Sequence, residues 1–161
     1  MNVLAPFLIG LAYVAVVSSV PEPRRRTFNA LFVAGAGAAY LSSGALGPWE
    51  LIFTAAITFC AYRGLTSDRW IGIAWLLHTV LDVIHHLLGR PILPFVPHSS
   101  FGCALCDPVI ALWCLANGPS LRQMLCRPQA DRADGAPPSC PDEQPPCLPA
   151  QRQFPIGRDL P

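Results

Sequence analysis

The sequence predicts an all-α fold, a polytopic bundle of about five membrane-spanning helices followed by a disordered C-terminal tail. Two observations carry that prediction. Hydrophobic residues make up 52% of the 161 and charged residues only 13%, about half the charged share with which an ordinary soluble domain covers its surface. The charges are also segregated, few of them outside short loops in the apolar part and many toward the C-terminus. A formal net charge of +1 excludes a nucleic-acid partner. The one dense basic run, Arg24-Arg25-Arg26, stands between two apolar stretches, where a membrane protein keeps its cytoplasmic anchors.

Asn2 to Val20 holds no charge and has about the length that crosses a hydrocarbon core ~30 Å thick. Arginines follow this run instead of preceding it, the wrong order for a secretory signal, so it reads as a retained first span. The second span, Phe28 to Leu46, carries Ala34, Gly35, Ala36, Gly37, Ala38, Ala39, Ser42, Ser43 and Gly44. Such small residues let a neighbouring backbone approach closely, within the bundle or in a homo-oligomer. The third span, 49–65, is entered through Gly47-Pro48, sets Trp49 at interface depth, and closes on Arg63 and the turn Thr66-Ser67-Asp68-Arg69.

Trp70 to Leu88 is the fourth span, and the three prolines between Pro91 and His98 forbid a continuous helix beyond it. The fifth, 101–118, is interrupted by Asp107-Pro108. That pair suits a helix start, with Asp as N-cap and Pro as first residue, and a re-entrant segment is the alternative to a full span. Beyond the transmembrane domain of 1–118, the composition of 119–161 turns to Pro, Asp, Arg, Gln and Cys without periodicity. Such a segment buries too little apolar surface to order itself and is expected to be a disordered, Pro-rich cytoplasmic tail.

Five spans put Arg24, Arg25, Arg26, Arg63, Arg69, Arg122 and Arg127 on one side and Arg90 on the other. Positive-inside then makes the first side cytoplasmic and leaves the N-terminus outside, in a bacterial inner membrane. Lipid is the expected partner.

One constellation points to chemistry. At 100° per residue, Trp75, His78, Asp82, His85 and His86 share a band of about 100° on the fourth helix. Glu50, Tyr40, Ser42, Ser43, His98, Cys103, Cys106 and Asp107 are expected at the same depth, near the outer face. Ionisable residues at membrane depth carry a penalty of a few kcal/mol or more, so they turn inward and mark function. Imidazoles converging with a carboxylate suit a divalent metal such as zinc, with His78, Asp82, His85, His86 and His98 as candidate ligands. If the site is catalytic, metal-bound water attacks a lipid-like substrate with Asp107 or Glu50 as base.

Plainer readings stand beside this one. His78 and Asp82 also fit a structural hydrogen-bonded pair or a proton relay, His85 and His86 suit the negative end of a helix dipole, and two histidines can hold a haem. Cys103-x-x-Cys106 fits a disulfide, a redox pair or two thiolate ligands. Cys60 and Cys114 read as packing residues, and Cys126, Cys140 and Cys147 as reduced cytoplasmic thiols. A non-enzymatic membrane component, a transport or proton-relay subunit or a helix-packing scaffold, is the alternative to an enzyme.

The segment His78-Thr79-Val80-Leu81-Asp82-Val83-Ile84-His85-His86, with Pro94 to Cys103 and Cys106-Asp107-Pro108, resembles the core of a family of small bacterial integral membrane proteins, the domain of unknown function 6010. The likeness covers roughly residues 1 to 120. It implies the membrane topology and no particular activity.

Overall fold

Local rules set the helix ends. In the computed structural model, which describes residues 3–42, 46–91, 96 and 98–125, six α-helices follow one another: α1 Leu4–Val17, α2 Arg24–Ala39, α3 Pro48–Gly64, α4 Asp68–Leu87, α5 Ser99–Leu115 and the short α6 Leu121–Leu125. The described residues contain no strand, so the fold is all-α. They lie within the unit Met1–Arg127; a second unit, Pro128–Pro161, falls wholly outside them.

A 3₁₀ turn, Tyr40–Ser42, extends α2. Helix α3 starts after Gly47, whose φ of 57° is one that glycine adopts without strain. Pro48 takes the first helical position, and the Glu50 carboxylate reaches back to accept the Leu46 N–H at 3.1 Å, a variant of the reciprocal capping box. Helix α4 ends in a Schellman turn, with Gly89 at φ 64° and the Arg90 N–H donating to the His85 carbonyl at 3.0 Å.

Helix α4 is the central element, packed against α5, α3 and α2, while α1 lies on α5 and α2 on α3. Its buried positions, Ile71, Gly72, Ala74, Trp75, His78, Leu81, Asp82 and His85, recur at helical spacing and face those neighbours. The distribution of polarity is inverted relative to a soluble protein. Asn29, Glu50, His78, Asp82, His85 and Asp107 are buried, while Leu8, Ile9, Val16, Leu31, Ile52, Phe59, Val80 and Leu112 are exposed.

Several expectations change. Among the described residues, α4 alone, with 20 residues and a mean hydropathy of 1.3, is long and apolar enough to cross a membrane; α1 and α5 are apolar but shorter. Asp107-Pro108 does not start a helix, because α5 begins at Ser99 and runs through Pro108. Proline removes one backbone hydrogen bond inside the helix, yet Ile110, Ala111, Trp113 and Cys114 just beyond it are buried, and their packing carries the helix past the break.

The small residues of α2 do not act as one face. A Cβ at Gly37 would lie 2.8 Å from the Ile57 side chain, whereas one at Gly35 would meet nothing within 4 Å. The segment expected to be disordered holds α6, whose Leu121 N–H donates to the Ser18 carbonyl at 3.1 Å. Ser43, Gly44 and residues 126–161 lie outside the described residues.

Among the described glycines, the closest approach to a neighbouring backbone is that of α1 on α5, where a Cβ at Gly10 would lie 2.8 Å from the Cys106 carbonyl oxygen. Gly10→Val is expected to destabilise the fold by about 1–3 kcal/mol through overpacking. Gly35→Ala should leave stability unchanged or raise it by up to about 1 kcal/mol through helix propensity. Thermal unfolding followed by circular dichroism distinguishes the two.

A candidate metal and proton centre in the helix core

Three helices and the 3₁₀ turn bring the site together. On α4, His78 and Asp82 are one turn apart, and Asp107 reaches them from α5 because it shares the buried stripe of Ile110, Ala111 and Cys114. Two carboxylates converge on a single imidazole nitrogen: His78 Nδ1 lies 2.6 Å from Asp107 Oδ2 and 3.1 Å from Asp82 Oδ2. The Tyr40 hydroxyl donates to the other Asp82 oxygen. Asp82 is fully buried, at 0% exposure.

One N–H can satisfy one acceptor well. His78 donates to Asp107, and Asp82 Oδ2 is left buried without a hydrogen bond. Among the described residues, His78, Asp82 and Asp107 form the one group of three histidine, cysteine or acidic side chains placed to hold an ion, their ligand atoms lying within 4.8 Å of one another.

A second pair adjoins the first. His85 Nδ1 faces the Arg90 carbonyl oxygen at 3.2 Å, and since a carbonyl only accepts, that nitrogen carries a proton. In the neutral ring, Nε2 is then a bare lone pair. It points toward Glu50 Oε1 at 3.6 Å, with no hydrogen-bond partner. The Tyr40 ring lies between the two pairs, its centroid 5.4 Å from the His78 ring and 4.4 Å from the His85 ring. Buried Ser100 at the start of α5 also hydrogen-bonds to Tyr40.

His86 and His98 stand apart from this core. Both are exposed, and the His86 ring packs against Phe101 at 5.1 Å. Beside them and His85, a cavity of about 220 Å³ is lined also by Gly89, Arg90, Pro91 and Ser100. Cys103, Cys106 and Cys114 are free thiols on α5, and Cys60 is one on α3. The sequence suits Asp107 to a helix cap or a catalytic base; its helical spacing to Ile110, Ala111 and Cys114 is the signal that places it in the core. Tyr40, anticipated at this depth, proves to be the group that joins the two pairs.

The fold and site define a small all-α protein organised around a buried histidine–carboxylate cluster. Residues 1–120 match the family of unknown function DUF6010, and the chain belongs to that family. No curated protein and no solved structure matches it.

Removing the Tyr40 hydroxyl leaves a second oxygen of Asp82 without its donor. Tyr40→Phe is expected to lower stability by about 1–3 kcal/mol, while His86→Ala and His98→Ala, at the surface, stay within about 0.5 kcal/mol of wild type. Chemical denaturation of the three variants measures this.

Proposed function

We propose that the chain is a multi-pass membrane protein that holds a divalent cation, zinc or a similar ion, through His78, Asp82 and Asp107, and uses it to activate water against a lipid-like substrate. The observation that carries the reading is the convergence of two buried carboxylates on one imidazole nitrogen, with Asp82 Oδ2 unsatisfied. A protonated His78 offsets one negative charge and leaves the other uncompensated in the core; a divalent ion beside a neutral imidazole offsets both. To hold the ion, His78 Nδ1 would give up the proton it donates to Asp107, and Asp107 Oδ2, 2.6 Å from it, would draw back.

Three protein ligands leave a coordination position for water, the arrangement of hydrolytic zinc sites. Glu50, its Oε1 3.6 Å from His85 Nε2, is the remaining candidate base. His86 and His98 have no ligand role in this reading.

The membrane part rests on the inverted polarity, with apolar side chains outward and ionisable ones inward. Contacts of Arg26 with Asp68, Arg63 with Trp70, Arg69 with Asn117 and Arg25 with Trp113 gather four arginines at one end, while Arg90 sits at the other beside His85. Positive-inside makes the first end cytoplasmic in a bacterial inner membrane. Helices shorter than a full span are accommodated by local thinning of the bilayer. A homo-oligomer through α2 would use its outward Gly35, Ala38 and Ala39.

A second reading, a proton-relay subunit, is favoured by the continuous contact from Glu50 and His85 through Tyr40 to Asp82, His78 and Asp107. Metal analysis separates the two. Protein purified in detergent and loaded with zinc is expected to retain one ion per chain, with His78→Ala and Asp82→Ala retaining none and His98→Ala unaffected. Wild type that retains no ion sinks the metal and hydrolase readings. A chain that stays in solution without detergent sinks the membrane reading.

A further inference from the structure

The three consecutive arginines take three different courses. Arg24 is exposed. Arg26 makes a forked pair with Asp68 through Nε at 3.2 Å and Nη2 at 3.0 Å. Arg25 turns inward, at 6% exposure, and lines a cavity of about 580 Å³ with Ser18, Ser19, Glu22, Ser120 and Arg122. The cavity lies between the end of α1, the turn into α2 and α6, which the Leu121–Ser18 hydrogen bond ties across it.

Not all of the donors along this cavity are spent within the protein. Arg25 spends Nε, at 3.1 Å, and Nη2, at 2.8 Å, on Glu22 Oε1, and its guanidinium is held over the Trp113 ring at 5.9 Å. Its Nη1 has no partner among the described residues and is not among the atoms sealed from solvent, on a residue that lines the cavity. Arg122, on the opposite wall, is exposed and likewise has no partner among them. Two guanidinium groups face one carboxylate, and that carboxylate is already engaged by Arg25. The Ser18 and Ser19 hydroxyls are spent on the Ala15 carbonyl, but Arg25 Nη1, the Arg122 guanidinium and the Ser120 hydroxyl remain to donate to the multiply accepting oxygens of a phosphate group.

We propose that this cavity binds a phosphate group, carried by an anionic lipid headgroup or by a small soluble phosphate compound. The site is distinct from the histidine–carboxylate centre and does not depend on a metal there. Its lipid source alone rests on the membrane reading.

The test uses the full chain. In neutral detergent, calorimetry with inorganic phosphate and glycerol 3-phosphate reads the soluble source. Reconstitution into phosphatidylcholine vesicles with and without phosphatidylglycerol, followed by native mass spectrometry of the retained lipid, reads the headgroup source. Binding in either arm is expected to weaken about tenfold in Arg122→Ala, the loss of one charge-assisted contact. A similar loss is expected in Arg25→Lys, which keeps the charge and can pair with Glu22 but has no Nη1 donor left for the phosphate. His78→Ala should bind phosphate as wild type does.

Retention of phosphatidylglycerol without affinity for the soluble compounds assigns the cavity to lipid, and the reverse assigns it to a free phosphate. No binding in either arm overturns the proposal. So does binding that is equal in wild type, Arg122→Ala and Arg25→Lys, because the anion then sits elsewhere.

Discussion

A carboxylate removed from water has to be held by its neighbours, and Asp82, at 0% exposure, imposes that demand on the middle of this fold. An isolated ionised group in a low-dielectric interior is costly enough that it pairs, binds an ion or takes up a proton. Tyr40 reaches Asp82 from the 3₁₀ turn after α2, His78 from one turn earlier on α4, and Asp107 closes on His78 from α5. Those contacts also set how the elements sit. Tyr40 must be brought to α4, and α5 must present Asp107 inward, which fixes its rotation. Ile71, Leu81, Ile110 and Ala111 pack around the same centre but, being non-directional, would tolerate small rotations that the polar contacts do not.

The same economy of charge shapes the two ends of the bundle. At one, Asp68 opens α4 and takes the forked hydrogen bonds of Arg26, joining α2 to α4 across a separation of 42 residues. Arg69 reaches Asn117 at the end of α5. At the other end, the His85 ring and carbonyl both engage Arg90, so the helix terminus and the second buried pair form one unit. Between the ends the exterior is largely apolar, and the ionisable Glu50, His78, Asp82, His85 and Asp107 are buried within an otherwise apolar core.

Much of this was legible from the residues in order. The helical class, the loops at Gly47-Pro48 and around Arg63 to Arg69, and the stripe of Trp75, His78, Asp82 and His85 follow from periodicity, breakers and the position of charge. His86 shows where that reading stops. It follows His85 by one residue, about 100° around the helix, and so falls outside the buried face, beside Phe101. Asp107-Pro108 shows the opposite failure. As a dipeptide it is a good helix start, and only packing against α4 and α1 carries the helix through it.

By itself, then, the sequence determined which segments are helical and which face of α4 is polar, because both depend on neighbours within a few turns. The tertiary structure decided that Asp107 and Tyr40 meet His78 and Asp82, that Glu50 lies against His85, and that Arg26 pairs with Asp68 while Arg25 lies over Trp113. Those pairings join residues far apart in the chain, and helix rotation sets them to within a few ångströms. Spacing along one segment contains no information about the rotation of the next.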